Sequence, residues 1–120
     1  MITKFATATV WEEDFDKAIK FYRDVLGLEL LTQPGDMPHF KVGDSILVLA
    51  KGKFIPPKNA FPPEFPLLAL AVDDLSKMTA QLHTLHIEME ANIQERRDSC
   101  WIKLNDPDCN LIELVEVKPL

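Results

Sequence analysis

The chain repeats one pattern at an interval of sixty residues, and this repeat limits the possible folds more than any other feature. Residues 6–14 alternate in polarity, end in acidic residues and precede an amphipathic segment, and residues 66–74 do the same. Asp14 thereby corresponds to Asp74. Two copies are too few for a solenoid, so the repeat predicts two similar modules packed as a pair. A chain of 120 residues suffices for that pair but not for two independent domains.

Each copy has the pattern β-α-β-β-β, which predicts an α+β fold. Each helix begins at an acidic N-cap: Asp14 or Glu13 in the first module, Asp73 or Asp74 in the second. The first helix runs to about Leu26, and Gly27 ends it in the left-handed conformation. The apolar stripe of the second helix includes Leu75, Met78, Leu82 and Leu85, and His86 takes the place of Gly27.

Short runs of strand-forming residues follow each helix. They cover residues 28–31, 40–42 and 46–49 in the first module, and 87–89, 101–104 and 111–116 in the second. Asp106, Pro107 and Asp108 begin the last turn, with proline at its second position. Residues 51–65 contain four of the nine prolines and predict a semi-rigid connector. The modules therefore cover about residues 1–50 and 66–120.

The alternation assigns a face to each side chain of the first strand. Ala6, Ala8 and Val10 suit the side that the helix covers, whereas Thr7 and Trp11 face the other way. In the second module, Trp101 and Lys103 share one face of their strand. They meet Glu113 if the registers of the two last strands agree.

Composition and charge exclude several classes of function. The net charge of −6 opposes general binding to nucleic acid and to anionic membranes. There is no apolar run of membrane-spanning length and no leader with a cleavage site, so we expect a cytoplasmic protein. The two cysteines lack metal-ligand spacing and predict two separate reduced thiols.

Two longer phrases resemble one known family. Residues 21–28, FYRDVLGL, and residues 106–114, DPDCNLIEL, are similar to phrases of the vicinal oxygen chelate superfamily. That superfamily includes glyoxalase I, extradiol dioxygenases, fosfomycin-resistance transferases and bleomycin-resistance proteins. The resemblance covers nearly the whole chain and implies a glyoxalase-like fold. In that fold, two β-α-β-β-β modules form a curved, mostly antiparallel sheet around a cavity, usually within a homodimer.

The resemblance also implies where a metal would be held. Metal-using members place a ligand early in the first strand and another in the last strand of each module. Here these positions fall on Thr7 and near Val48 in the first module, and on Leu67 and Glu113 in the second. A catalytic metal site normally needs about three protein ligands, and only Glu113 is a strong one. We therefore predict no metal site and no cofactor.

The remaining candidates could form a ligand site. Glu113 is either an acid in a water-poor cavity, which would bind a cation or move a proton, or a structural residue that pairs with Lys103 or reaches solvent. His39 lies beside a strand and opposite to its apolar neighbours. The predicted ligand-binding residues are aromatic, polar and charged: Thr7, Trp11, His39, Phe54, Trp101, Lys103 and Glu113.

These features favour a metal-free small-molecule binding protein that resembles the bleomycin-resistance branch. It would hold a planar or cationic ligand in an aromatic cavity, chiefly by ring stacking. The alternative is a lyase, isomerase or dioxygenase of the same family that uses Glu113, with a divalent metal at a non-standard site or as a general base alone. A third possibility is a degenerate fold that serves only as an interaction partner.

Overall fold

The computed structural model describes residues 1–53 and 67–118. The chain divides into two compact units, Met1–Pro63 and Glu64–Leu120. Each unit contains one helical segment and one four-stranded sheet, and the order of elements is β-α-β-β-β in both. The α+β class and the module pattern predicted from the sequence are confirmed.

In the first unit, the two strands most distant in sequence lie side by side. Its elements are β1 (Thr7–Glu12), α1 (Phe15–Ile19), a π-helical continuation (Lys20–Val25), β2 (Glu29–Leu30), β3 (His39–Val42) and β4 (Ser45–Lys51). The sheet order is β1-β4-β3-β2. Strand β1 is parallel to β4, and the other pairs are antiparallel.

The second unit repeats this topology. Its elements are β5 (Leu68–Ala71), α2 (Leu75–Thr84), β6 (Gln94–Glu95), β7 (Ser99–Asn105) and β8 (Leu111–Val117). The sheet order is β5-β8-β7-β6, with β5 parallel to β8 and the other pairs antiparallel.

Both helices begin at the second of their two candidate acidic residues. The Oδ1 atom of Asp14 accepts hydrogen bonds from the backbone N–H groups of Asp16 at 3.0 Å and Lys17 at 3.2 Å. Asp74 Oδ1 accepts one from the N–H of Lys77 at 3.0 Å. Each carboxylate thereby satisfies donors that the first helical turn leaves without a partner in the helix.

The last strand of each unit sends a long side chain to the start of its helix. Lys51 Nζ donates to the carbonyl oxygen of Glu13 at 2.9 Å and lies 4.4 Å from the ring centroid of Phe15. In the second unit, Glu116 Oε1 accepts a hydrogen bond from the backbone N–H of Leu75 at 2.7 Å. These contacts tie each helix to the parallel strand pair.

The periodicity of the first helix predicted an α-helix throughout. In the structure, the helix instead widens into a π-helix after Ile19. Leu26 N–H donates to the carbonyl of Phe21, five residues earlier, at 2.9 Å. The wider turn allows the consecutive aromatic side chains Phe21 and Tyr22 both to be buried, where an α-helix would favour one. The Tyr22 ring lies 5.8 Å from that of Phe40 in the core.

The exposed side of this π-helix carries an ion pair. Arg23 Nε donates to Asp24 Oδ1 at 2.8 Å. This hydrogen bond, and after it the charge of Arg23, lowers the pKa of the Asp24 carboxyl from its ordinary value. Both side chains are exposed, so the pair contributes little to stability.

Both helices end at a residue with positive φ, as predicted. Gly27 has a φ of +77°, and His86 has a φ of +59°. His86 N–H donates to His83 O, and Ile87 N–H donates to Leu82 O, which together form a Schellman motif. Leu85, predicted to lie on the apolar stripe, is instead 49% exposed because it follows the last helical residue and turns away from the core.

The strand predicted at residues 87–89 is wrong. This segment makes a single bridge, between Met89 and Leu104, and the strand that pairs with β7 at the sheet edge is β6. The carboxylate of Glu90 explains the interruption. Its Oε1 accepts the backbone N–H of Lys103 at 2.7 Å and so occupies the donor that a continuing ladder would use.

The hairpin between β7 and β8 is organised by the buried carboxylate of Asp106. Its Oδ1 accepts from the N–H groups of Asp108 and Asn110, both at 2.9 Å, and its Oδ2 accepts from Asn110 Nδ2 at 3.0 Å. Cys109 N–H donates to Asp106 O at 3.0 Å, so Pro107 occupies the second position of a β-turn, as predicted.

The helix-facing sides of both sheets form the cores. Phe40, Leu47 and Leu49 are fully buried on this side of the first sheet. The side chains of Ala6 and Ala8, predicted to be covered by the helix, are exposed, because burial on β1 begins only with Val10 and becomes complete at Glu12. In the second sheet, the buried residues are Leu70, Cys100, Ile102, Leu104, Ile112 and Leu114.

Three further expectations concern the connector, the membrane and the cysteines. Strand β4 continues to Lys51, one residue into the predicted connector, and residues 54–65 of that connector lie outside the described residues. Within residues 1–53 and 67–118, no helix is long and apolar enough to cross a membrane. Cys100 is buried, Cys109 is exposed, and both are free thiols, as predicted.

Two non-glycine residues occupy the left-handed region, His86 at +59° and Cys109 at +64°. Because a Cβ atom in this region costs about 1 kcal/mol, we expect His86→Gly and Cys109→Gly each to raise the free energy of unfolding by about that amount in urea titrations. The control His83→Gly, inside α2, is expected to lower it by about 1 kcal/mol. A loss of stability in both test variants would contradict this interpretation.

Asp106 is expected to be important for stability. Asp106→Ala removes three hydrogen bonds to a charged acceptor and leaves buried donors without partners, so we expect a loss of about 3 kcal/mol in the free energy of unfolding. Asp106→Asn keeps one acceptor oxygen and should lose less. Equal stability of the alanine variant and the unchanged protein, measured by urea titration, would show that the turn does not depend on this carboxylate.

Candidate functional site

The first sheet has one face that its helix does not cover, here called the first open face. Thr7, Thr9 and Trp11 on β1 pair with Ile46, Val48 and Ala50 on β4, and all six side chains point to this face. Both threonines are exposed, and the neighbouring Val48 and Ala50 are each only 9% exposed. The first open face is therefore apolar along β4 and carries polar and aromatic groups along β1.

Trp11 is the largest exposed side chain on the first open face. It is 46% exposed, and its ring lies against Gly52. A Cβ atom on Gly52 would lie 2.9 Å from Trp11 Cε3, closer than real Cβ contacts. The Trp11 ring can therefore lie in this position because residue 52 has no side chain.

His39 joins the same face from β3. It pairs with Val48, and Leu31 lies on its other side because Leu31 N–H donates to His39 O at 2.8 Å. The imidazole Nδ1 lies 2.8 Å from the carbonyl oxygen of Met37. The structure thus brings together Thr7, Trp11 and His39 on one face, as their positions in the sequence predicted.

The second open face is the corresponding side of the second sheet. Lys103 pairs with Glu113, and Trp101 pairs with Val115, so the registers of the two last strands meet the condition under which these side chains share a face. Glu113 lies between Lys103 on β7 and Ala69 on β5, and its side chain is partly buried. The three residues predicted for this module therefore share one face.

The second open face carries charges of both signs, with Arg96 and Lys103 near the carboxylates of Glu90 and Glu113. Arg96 N–H donates to Ser99 O, and the Arg96 guanidinium lies over the Trp101 ring, 5.5 Å from its centroid. Lys103 and Glu113 lie side by side, yet they form no ion pair within 4.0 Å, in contrast to the pairs seen elsewhere in the described part of the chain. The predicted structural role of Glu113 as a partner of Lys103 is therefore not realised as a salt bridge.

The residues at the family's metal positions do not fit a metal. In the first unit the two positions hold the hydroxyl of Thr7 and the side chain of Val48. In the second they hold Leu67 and Glu113. One carboxylate does not make a stable divalent site, which normally takes three or four protein ligands. Among residues 1–53 and 67–118, no group of three His, Cys, Asp or Glu side chains is placed to hold a metal.

Sequence reasoning missed two residues on these sheets. Glu12 is fully buried at the end of β1, on the helix-facing side with Ala8 and Val10. The alternation of β1 was the available signal, because Glu12 continues the side of Ala8 and Val10. Arg96 was not among the predicted site residues, and its place over Trp101 depends on a turn that has no local signal. Phe54, a predicted ligand-binding residue, lies outside the described residues.

The sequence profile of the Glyoxalase/Bleomycin resistance protein/Dioxygenase superfamily matches residues 4–114. No curated protein sequence matches the chain.

Solved structures resemble the chain over nearly its whole length. A lactoylglutathione lyase from Agrobacterium tumefaciens is 25% identical, with 96% of this chain and 94% of that chain covered and a TM-score of 0.74. TnmS3, an antibiotic binding protein from Streptomyces sp. CB03234, is 26% identical, with 98% of each chain covered and a TM-score of 0.77. The fosfomycin resistance protein FosX from Mesorhizobium loti is 17% identical, covers 97% and 93%, and has a TM-score of 0.74, which supports the fold alone.

Gly52→Ala tests the contact that positions Trp11. The new methyl group would meet the Trp11 ring, so we expect the free energy of unfolding to fall by about 1–3 kcal/mol. In a Trp11→Leu background, most of this loss should disappear, because the clashing ring is absent. Four urea titrations complete this double-mutant cycle, and an undiminished loss in the Trp11→Leu background would show that Gly52 is needed for another reason.

Proposed function

Because the chain belongs to the Glyoxalase/Bleomycin resistance protein/Dioxygenase superfamily, and because its residues do not fit the family's metal site, we propose that it is a small-molecule binding protein. It holds a planar organic ligand without a metal, in a manner that resembles bleomycin-resistance proteins. The ligand stacks on Trp11 at the first open face. We also expect the protein to be a cytoplasmic homodimer.

The observation that carries this proposal is the exposed ring of Trp11. Nearly half of this large aromatic side chain remains accessible to solvent, and its neighbours on the sheet include the small apolar residues Val48 and Ala50. Contact of a flat ligand with such a ring removes apolar surface from water on both partners and adds a favourable ring–ring geometry. Thr7, Thr9 and His39 supply polar groups on the same face, which a ligand pocket needs for orientation.

Trp101 is less suited to stacking, although it too was predicted to bind the ligand. The Arg96 guanidinium already lies over its ring at 5.5 Å, so a ligand would have to displace that cation. We assign the stacking role to Trp11 because 46% of its side chain is exposed, whereas Trp101 is half-buried. Trp101 serves as an internal reference in the same protein.

The charges of the open faces bear on the choice between a planar and a cationic ligand. On the second open face Arg96 and Lys103 are balanced by the carboxylates of Glu113 and Glu90, and Lys41 lies opposite Glu29 on the first. A cationic ligand would find no local excess of negative charge on either face, despite the net charge of −6 for the whole chain. The proposal is accordingly for a planar ligand whose binding does not depend on positive charge.

The comparison with known proteins supports the same function. An antibiotic binding protein resembles this chain at 26% identity over 98% of both chains. A comparable identity of 25% is found for a lactoylglutathione lyase, so the choice between binding and catalysis rests on the side chains at the site.

The chain contains two tryptophans, and this allows a direct fluorescence test. In Trp101→Phe, Trp11 is the remaining reporter, and we expect saturable quenching by planar aromatic compounds such as 2-naphthol and its fused-ring relatives. In Trp11→Leu, Trp101 is the reporter, and we expect about tenfold weaker binding, because the loss of the stacking ring costs about 1.4 kcal/mol.

Three outcomes would contradict the proposal. Absence of quenching of Trp11 across a broad panel would exclude stacking there, and equal affinity in both variants would place the site elsewhere. Stoichiometric Zn, Ni, Mn or Fe in protein purified without chelator, lost in Glu113→Gln, would overturn the metal-free proposal in favour of a family enzyme.

A further inference from the structure

The backbone around His39 holds this residue firmly in the first open face. Its N–H donates to Thr32 Oγ1 at 3.3 Å, and its carbonyl accepts from Leu31 N–H at 2.8 Å. On the other side it pairs with Val48 of β4. The β4 edge is bonded one residue earlier, where Pro38 O accepts from Leu49 N–H at 3.0 Å, so the backbone on both sides of the imidazole is held in place.

The hydrogen bond of the ring determines which of its nitrogen atoms carries the proton. Nδ1 lies 2.8 Å from the carbonyl oxygen of Met37. A carbonyl oxygen only accepts, so Nδ1 must be the protonated nitrogen. In the neutral ring, Nε2 then bears a lone pair and can only accept a hydrogen bond.

The surroundings of His39 on the open face are largely apolar. Val48 and Leu31 flank it across the sheet, and Thr9 lies one strand further, paired with Val48. In the part of the chain that the structure describes, Nε2 has no hydrogen-bond partner. A ligand bound here would shield its own hydrogen bond to Nε2 from water. A ligand that lacks the donor would lose that hydrogen bond and bind more weakly.

We propose that His39 Nε2 is the residue that determines specificity in this protein, by accepting a hydrogen bond from a hydroxyl or ring N–H of the planar ligand. The ligand class is therefore an aromatic compound with a phenol-like donor at its edge. This inference rests on the proposed stacking function, because Trp11 and His39 act on the same bound molecule. Trp11 supplies contact area, and His39 selects for the donor.

The tautomer of His39 provides a test that needs no ligand. In ¹⁵N–¹H correlation spectra of the imidazole rings, we expect the neutral form of His39 to carry its proton on Nδ1 and none on Nε2. His83 and His86 are exposed on the second unit and serve as references. A His39 ring protonated at Nε2, or one that averages like the two references, would overturn the proposal.

A matched pair of probes tests the selectivity. In isothermal titration calorimetry, we expect 2-naphthol to bind about fivefold more tightly than 2-methoxynaphthalene, since the ether has no donor. In His39→Leu, the two affinities should become equal, mainly through weaker binding of 2-naphthol. The control His83→Leu, on the exposed side of α2, should keep the difference.

The outcomes separate the two proposals. If both probes bind the unchanged protein with the same affinity, and His39→Leu does not alter that affinity, the stacking proposal is supported and the proposed role of His39 is wrong. If neither probe binds, the stacking function fails for this class of compound and the role of His39 fails with it. A difference between the probes that persists in His39→Leu would assign the acceptor to another residue.

Discussion

The parallel pairing of the first and last strands in each unit is the constraint on which the site depends. A parallel pair requires a crossover, and here the helix that follows the first strand lies over one face of the sheet. That face becomes the core, with Phe40 and Leu47 fully buried in the first unit. In the part of the chain that the structure describes, no helix of the same unit covers the opposite face. Every described candidate for ligand binding lies on such an open face, so the topology that stabilises the fold also presents the site.

The cores do not depend on a metal. In the first unit, Tyr22, Phe40 and Leu49 fill the space under the helix, and in the second Leu82 and Ile112 do the same. Of the three positions without a strong metal ligand, Thr7 and Leu67 are exposed, and only Val48 is buried. Because most of the core lies on the helix-facing side of each sheet, the side chains on the opposite face can vary while the fold is kept.

Much of the fold follows from local signals, and the successes and failures have physical causes. Asp14, Asp74 and Pro107 act on N–H groups or φ angles within four residues, so their positions were sufficient to predict the caps and the turn. The π-helix was missed because its advantage is the joint burial of Phe21 and Tyr22 against the sheet. The strand at 87–89 was wrong because Glu90, one residue beyond it, takes the N–H of Lys103.

The sequence by itself determined the repeat, the order of elements, the faces of the strands and the absence of metal-ligand side chains at three of four positions, because each follows from residue type and spacing. Only the tertiary structure decided the register of Lys103 with Glu113, the burial of Glu12, the cation over Trp101 and the contact of His39 Nδ1 with the Met37 carbonyl. These depend on which segments meet after folding. Paired residues are 39 positions apart in the parallel pair of the first sheet and 44 apart in that of the second, and no local preference encodes their contact.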